Sequence, residues 1–462
     1  MGKPGRTAAL AGLVFCAALA VRLFVSFRTA LPSVDGVIFL SMAKDMAAGH
    51  WAPALVRVFH PFYPLLAAPL IALGVTPFTA ARVLLSVFGA AGAALVLPLA
   101  RELGASRGAS AALASLAAAS VWSSRYAGDA YSEPLFLFLA ALASWLFLRQ
   151  ARPEGERRDL TAFFAGFLAG LAFTTRPEGA ALGAAFLLAG PGRVFLALGA
   201  VLPAGAYLGA RWVLLGSLAP TPKLGFMLPM GPLGATGVLE GLALYLENLG
   251  KALLLGFESL GPLGWLLSAA GILLFLFGRK GRRGQGGKGL AAALLLAFLG
   301  MAAFQVKRRF LLDWSPLLLA FGALAWDALS GKVRFLLPVL LALSLGWSLV
   351  RLYPPRKYDK TGEVLVARWI GARLGPGEGI VTDMPRVAYY AGLRPPPPRV
   401  PAPEDVARWC ARAGVRFLVL GARRRLFREF GPPKPWKPAP LPPEVERAAR
   451  RRGIAVFIRP RK

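Results

Sequence analysis

From its start to about position 350 the chain alternates long apolar stretches with short polar ones. Apolar runs at 8–28, 78–99, 109–124, 132–148, 161–175, 178–190, 193–216, 261–278, 289–305, 311–328 and 333–350 predict about eleven membrane-crossing helices. A hydrocarbon core about 30 Å thick takes roughly 20 apolar residues as helix. In lipid each backbone polar group must pair within its own segment. The pattern therefore predicts a polytopic α-helical membrane protein and excludes soluble folds for this part. Residues 161–190 read either as two short helices joined at Arg176-Pro177 or as one bent helix. Residues 61–74 are apolar over too short a distance to cross. If they did cross, the basic loop 278–288 would change sides, so they predict an interfacial or re-entrant piece. In 236–258, Glu240, Glu247, Lys251 and Glu258 recur at near-helical spacing among leucines, as expected of a helix lying in the membrane interface.

Beyond 352 the pattern changes. Apolar runs shrink to strand length at 379–382, 416–420 and 454–458, with helical patterns at 363–374 and 404–413. Strands alternating with helices predict a small α/β domain. The expected division is a membrane module over 1–352, whose first outer loop, 29–77, carries interfacial helices, and a soluble α/β domain over 353–462. The proline run at 395–398 reads as a stiff loop.

Charge orients this arrangement. The 54 Lys and Arg residues far exceed the 23 Asp and Glu residues. In a soluble protein that excess would point to nucleic acid; in this chain it reads as membrane orientation and attraction to anionic head groups. Basic residues gather at 101–107, 149–158, 278–288, and at Lys332 and Arg334, and short loops of this kind belong inside. The N-terminus is then cytoplasmic and the C-terminal domain extracytoplasmic, in a multi-pass protein of the cell membrane. The first apolar segment, preceded by Lys3 and Arg6, lacks a clean cleavage site and reads as a retained span. Cys16 and Cys410 are too far apart in sequence to form a metal knuckle or to indicate a disulfide.

Under this topology the scarce polar groups collect on the outer side. They are Asp35 after the first span, then Arg125, Asp129 and Glu133, then Arg176 and Glu178, then Lys307, Arg308 and Arg309. Singly, each reads as well as a solvated loop residue; their convergence on one side carries the functional reading. A carboxylate can deprotonate an acceptor hydroxyl, while guanidinium forks hold a phosphate and stabilise charge on a leaving group. That set suits sugar transfer from a lipid phosphate sliding in from the bilayer. His50 and His60, the only histidines, are ten residues apart and give weak grounds for a metal. Lys44 with Asp45 reads as a surface pair, and Asp313 and Asp327 as helix-end or packing residues.

The run D-G-V-I-F-L-S-M-A-K-D-M-A-A-G and H-P-F-Y-P-L-L, followed in order by S-E-P-L-F-L-F-L, T-R-P-E-G and R-R-F-L-L-D-W-S-P, resembles the GT-C membrane glycosyltransferases. Within them it is most similar to the protein O-mannosyltransferase and aminoarabinose-transferase type (glycosyltransferase family 39-like). The likeness covers roughly 8–350. It implies a GT-C-like fold, a polyprenyl-phosphate-sugar donor, inversion at the anomeric carbon, and a protein, lipid or glycan as acceptor. It maps the catalytic acid onto Asp35 and a second acid onto Glu133. Many members carry an adjacent acid pair in the first outer loop; this chain has Gly36 at the partner position. Arg125, Asp129, Arg176, Arg308 and Arg309, with His60 and Tyr63 from the H-P-F-Y-P run, are the expected substrate contacts. Membrane lipids are expected partners and nucleic acid is not; the residues single out no cofactor, and a divalent metal stays open. The rival readings are a flippase of lipid-linked sugars, which should show internal repeats and mid-span charges, and an oligosaccharide ligase, distinguished by donor size.

Overall fold

A computed structural model describes residues 4–150, 158–220, 237–277, 285–302, 308–329, 331–394, 414–421 and 436–459. It is mostly helical, with one small sheet near the C-terminus. Six helices among the described residues are long and apolar enough to cross a membrane: Arg6–Phe27, Pro77–Leu103, Glu133–Gln150, Arg193–Leu215, Val238–Phe277 and Phe335–Leu352. Phe62–Ala72, Gly179–Ala189 and Ser315–Ala328 are apolar but shorter. The first of these is the piece expected not to cross.

Local chemistry explains where the helices depart from simple runs. The 161–190 stretch is two helices, Arg158–Thr175 and Gly179–Ala189. Pro177 separates them: proline disfavours helical backbone at the residue before it and supplies no N–H. The 109–124 stretch is also divided, into Arg107–Ala118 and Val121–Gly128. Arg22 of the first helix sits at this break. Its guanidinium donates to the carbonyls of Ala118 (2.9 Å) and Ala117 (3.1 Å) and to Ser123 Oγ (3.0 Å). A helix C-terminus leaves four carbonyls without intrahelical partners, and Arg22 satisfies two of them in the interior. The segments 236–258 and 261–278 merge into one long helix, Val238–Phe277. It kinks at Gly261, whose φ of 75° is open to glycine, just before Pro262.

The centre of the bundle is formed by Pro77–Leu103 and Glu133–Gln150, whose most apolar windows are 61% and 72% buried. Only 11% of Phe335–Leu352 is buried, and it presents Phe335, Val339 and Val350 outward, as a lipid-facing helix does. Arg158–Thr175 and Arg193–Leu215 pack through small residues. A Cβ on Gly166, Gly170 or Gly199 would strike the backbone of Leu196, Ala200 or Phe163 on the opposing helix.

The C-terminal sheet has strands β1 (Gly379–Thr382), β2 (Val415–Gly421), β3 (Lys437–Pro438) and β4 (Ile454–Ile458), in the order β1-β2-β4-β3. The β1–β2 pair is parallel and the β2–β4 and β3–β4 pairs are antiparallel, with Leu418 opposite Phe457. The period-2 alternation of β2 sends Phe417 and Val419 into a core with Val366 and Ile370 of helix Thr361–Gly371 and with Val445 and Ala449 of helix Pro443–Arg452. Leu418 and Leu420 join Val381, Trp436 and Phe457 on the other face. The expected strands at 379–382, 416–420 and 454–458 and the helix near 363–374 have counterparts here. The helical pattern at 404–413 and the proline run at 395–398 lie outside the described residues.

Candidate active site

Asp35 occupies the first turn of helix Val34–Ala47. Ser33 caps that turn: its Oγ accepts from Gly36 N at 2.8 Å, and its own N–H donates to the Asp129 carbonyl at 2.9 Å. The Asp35 carboxylate accepts from Arg309 Nη1 at 2.6 Å. Arg309 comes from the short helix Arg308–Leu312, 274 residues away in sequence. Beside this pair stands a second cluster, buried except for the partly exposed Glu178. Arg176 Nη1 lies 2.7 Å from Glu133 Oε1, and Arg176 Nη2 lies 2.9 Å from Glu178 Oε1 and 3.0 Å from Asp313 Oδ2. Glu133 opens helix Glu133–Gln150 and has no solvent exposure, and Asp313 has none either. A narrow cavity joins the two clusters, with Asp35, Glu133, Arg176, Glu178, Arg309 and His60 on its walls.

Four carboxylates surround two guanidinium groups here, so the cluster is electronegative if all are ionised. Burial lowers the proton affinity of Arg309, but Glu133 and Asp35 outweigh it and raise the value above the ordinary arginine one. Arg309 therefore stays a cation. Glu133 Oε2 is buried and has no hydrogen-bond partner among the described residues. A buried carboxylate oxygen without a donor is costly, so a hydroxyl reaching this cavity would find an acceptor in place. Among the described residues no group of three or more His, Cys, Asp and Glu is placed to hold a metal ion. The acids are paired with arginines instead.

The other expected site residues divide between three places. His60 is buried between Phe173 (ring centroids 5.4 Å apart) and Tyr207 (5.5 Å) and reaches the cavity wall. Tyr63 does not line it: its ring meets Phe39 edge-on at 5.2 Å and braces the helix that carries Asp35. Arg125 and Arg308 leave the acid cluster altogether. Their guanidinium groups lie over the ring of Trp122, at 5.0 Å and 3.8 Å. Arg308 is paired with Glu258, and Arg125 donates to the Arg351 carbonyl at 2.8 Å. Glu258 and Arg351 line a second cavity of about 450 Å³, whose walls are otherwise mainly apolar, from Leu116, Leu263, Leu319 and Leu340 among others. Arg309 thus lines the acid cavity while Arg308 turns to Glu258 on the wall of the other, which their neighbouring positions on a helix, about 100° apart, allow. Asp129 faces neither: Lys357 Nζ holds it at 2.6 Å and Arg356 Nη1 at 3.3 Å.

Two readings from the chain alone change. Asp45 pairs with Arg394 at 3.3 Å, not with Lys44, whose Nζ lies over the Tyr389 ring at 5.7 Å. Asp313, expected to be a helix-end or packing residue, joins the buried cluster by pairing with Arg176. Its signal was the four-residue spacing from Arg309, which puts both on one helical face. Asp327, by contrast, does tie a helix end, accepting from Ser106 N and Oγ (2.6 Å for Oγ) at the opposite end of the bundle. Gly36 also has a physical reason. A Cβ there would collide with the Asp129 carbonyl and Ser33 Oγ, so this backbone leaves no room for a second acid beside Asp35.

No family model matches the sequence, and no curated protein does. Solved structures do match. The chain resembles ArnT from Cupriavidus metallidurans bound to undecaprenyl phosphate, with a TM-score of 0.66 at 14% identity over 96% of this chain and 97% of that one. It resembles the archaeal oligosaccharyltransferase AglB from Archaeoglobus fulgidus, in complex with an inhibitory peptide and a dolichol-phosphate, with a TM-score of 0.62 at 13% identity over 90% of this chain and 69% of that one. The arabinofuranosyltransferase AftD from mycobacteria gives 0.53 at 16% identity, over 88% of this chain and 36% of that one. These are GT-C glycosyltransferases, and the fold described above is the GT-C fold of a multi-pass membrane protein.

Proposed function

From the GT-C fold and the acid–arginine cavity together, we propose that the protein is an inverting glycosyltransferase. It moves a sugar from a polyprenyl-phosphate-linked donor to an acceptor hydroxyl at the outer face of the cell membrane. The observation that carries the reading is convergence: Asp35, Glu133, Arg176, Glu178 and Arg309 come from separate stretches of the chain and share one cavity. Beside it lies a largely apolar cavity with Glu258 and Arg351 in its wall.

In this mechanism Asp35 takes the proton of the acceptor hydroxyl as that oxygen attacks the anomeric carbon from the face opposite the phosphate. The new C–O bond forms as the anomeric C–O bond to phosphate breaks. The polyprenyl phosphate leaves with the bonding electrons and the proton remains on Asp35. Arg309 holds the Asp35 carboxylate in place on the side of the attacking hydroxyl. Glu133, fixed by Arg176, accepts a hydroxyl of the sugar or acceptor. The apolar cavity takes the isoprenoid chain, and Arg308, Arg125 and Arg351 supply cations at its polar side.

The proposed orientation puts the N-terminus in the cytoplasm and residues 353–462 outside as a soluble α/β domain, with about eleven crossings between. The basic loops 101–107 and 149–158 then lie inside, as short cationic loops do.

The test is transfer by purified protein given a panel of polyprenyl-phosphate monosaccharides, with products identified by mass spectrometry. An Asp35→Asn protein is expected to lose about 10²–10⁴ in rate, the usual weight of a general base. Full transfer by a folded Asp35→Asn protein would overturn the assignment.

A further inference from the structure

The stretch that leads into Asp35 is held from the far end of the chain. Arg386 Nε donates to the Pro32 carbonyl at 2.9 Å, three residues before Asp35. Its Nη1 pairs with Glu363 Oε2 at 3.1 Å, and Glu363 Oε1 is held in turn by Arg452 Nη2 at 3.0 Å. Arg386 and Glu363 are both buried. Upstream, Thr29 and Arg356 form an isolated parallel bridge: Ala30 N donates to Arg356 O at 3.0 Å and Arg356 N to Arg28 O at 3.2 Å. Downstream, Lys357 and Arg356 grip Asp129, whose carbonyl receives Ser33 N. Arg28, Ala30 and Pro32 therefore each have a backbone hydrogen bond to 356–386, and Ser33 is tied to the same region through Asp129.

A fixed carboxylate needs a fixed backbone. Asp35 is on the first turn of its helix, where neither its own N–H nor the Ser33 and Val34 peptides are tied by preceding helical turns. The Pro32 carbonyl is the last acceptor before the cap, and a buried, charge-assisted donor is the strongest ordinary way to fix it. Arg386 fits this need because its planar fork serves two acceptors at once: Nε for the carbonyl, Nη1 for Glu363.

We infer that Arg386, anchored by Glu363, is a positioning residue for Asp35, so that the segment after the last membrane helix sets the geometry of the base without touching substrate. The inference rests on the proposed role of Asp35, and its first readout does not depend on activity. Hydrogen exchange is followed in the full-length protein in detergent. Arg386→Ala is expected to speed exchange of amides in 33–37 by about tenfold, as loss of one charge-assisted bond would, with peptides from the central helices unchanged. Arg386→Lys restores part of the protection, since one ammonium can serve Pro32 or Glu363 but not the two in the arginine geometry. Glu363→Gln, which conserves volume, gives the same pattern at lower amplitude.

In transfer assays with undecaprenyl-phosphate-linked hexoses, Arg386→Ala is expected to lower kcat about 10–100-fold, the effect of a slightly misplaced catalytic group. KM for the donor stays within about twofold. Unchanged exchange at 33–37, or acceleration spread over every helix, overturns the inference. So does a loss of activity that appears in KM alone. If Asp35→Asn keeps transfer while exchange at 33–37 still answers to Arg386, the proposed function falls and the clamp stands.

Discussion

Asp35 and Gly36 illustrate how one residue can exclude a chemistry. Gly36 leaves its place empty because the Asp129 carbonyl comes up against it, and that carbonyl is already the acceptor for Ser33. Gly36→Ala is therefore expected to push the first turn away from Asp129 and cut transfer at least about tenfold, since small displacements of reacting groups are expensive. Gly36→Asp, which would create the adjacent acid pair, should do worse rather than better. Kinetics and melting temperature of both proteins check this; an active Gly36→Asp protein would show that the backbone yields. The residue scale is also where sequence reading is most exposed. Asp35, Glu133, Arg176 and Arg309 were legible because acids and arginines are rare between apolar runs. Asp313 was missed because an acid at a helix start has a cheap alternative explanation. Tyr63, Arg125 and Asp129 are near the cavity in sequence but point elsewhere, and side-chain direction cannot be read from spacing within a loop.

At the scale of elements, hydrophobic length gave nearly every helix, and the breaks came from chemistry between elements. Pro177 marks its own break. The break at 119–120 has a local mark in Ser120, whose Oγ accepts from Ser123 N and caps the next helix, but Arg22, which takes up the carbonyls left there, comes from another helix. The contact between the segment after Phe335–Leu352 and the loop after the first helix was equally hidden, being a long-range pairing. It carries a pH signature. Burial lowers the Lys357 pKa to about 8, with the Asp129 charge and hydrogen bond pulling it partly back up. In the unfolded chain a lysine titrates near 10.4, so between about pH 8 and 10.4 the unfolded state binds the extra proton. Stability should accordingly rise with pH across that window. Melting curves of wild type and Lys357→Met over that range test this: the difference between them should grow with pH in favour of wild type, and a flat difference would mean that Lys357 keeps an ordinary pKa.

For the whole molecule, the acid cluster and the Asp327–Ser106 tie occupy opposite ends of the bundle, and the proposed orientation makes one end external. In a protein with Cys16 and Cys410 replaced by Ser, Tyr358→Cys should react with an impermeant maleimide on intact cells. Gly108→Cys, exposed at the other end, should react only after permeabilisation. The reverse pattern would turn the bundle over and remove the external site. The helical membrane character, the apolar helices and most of the strands could be read from apolar run length and strand alternation, because a bilayer sets the one and the pleat of a sheet the other. How the two parts embrace could not, because it depends on a handful of buried polar groups.

The bridge between Thr29 and Arg356 also orders events in time. In the proposed orientation the stretch around Asp35 leaves the cytoplasm hundreds of residues before Arg386 is made. On the proposed roles, the carboxylate can meet Arg309 before the tail exists, but the backbone leading into it gains its anchor only when the tail folds back over the loop that preceded it.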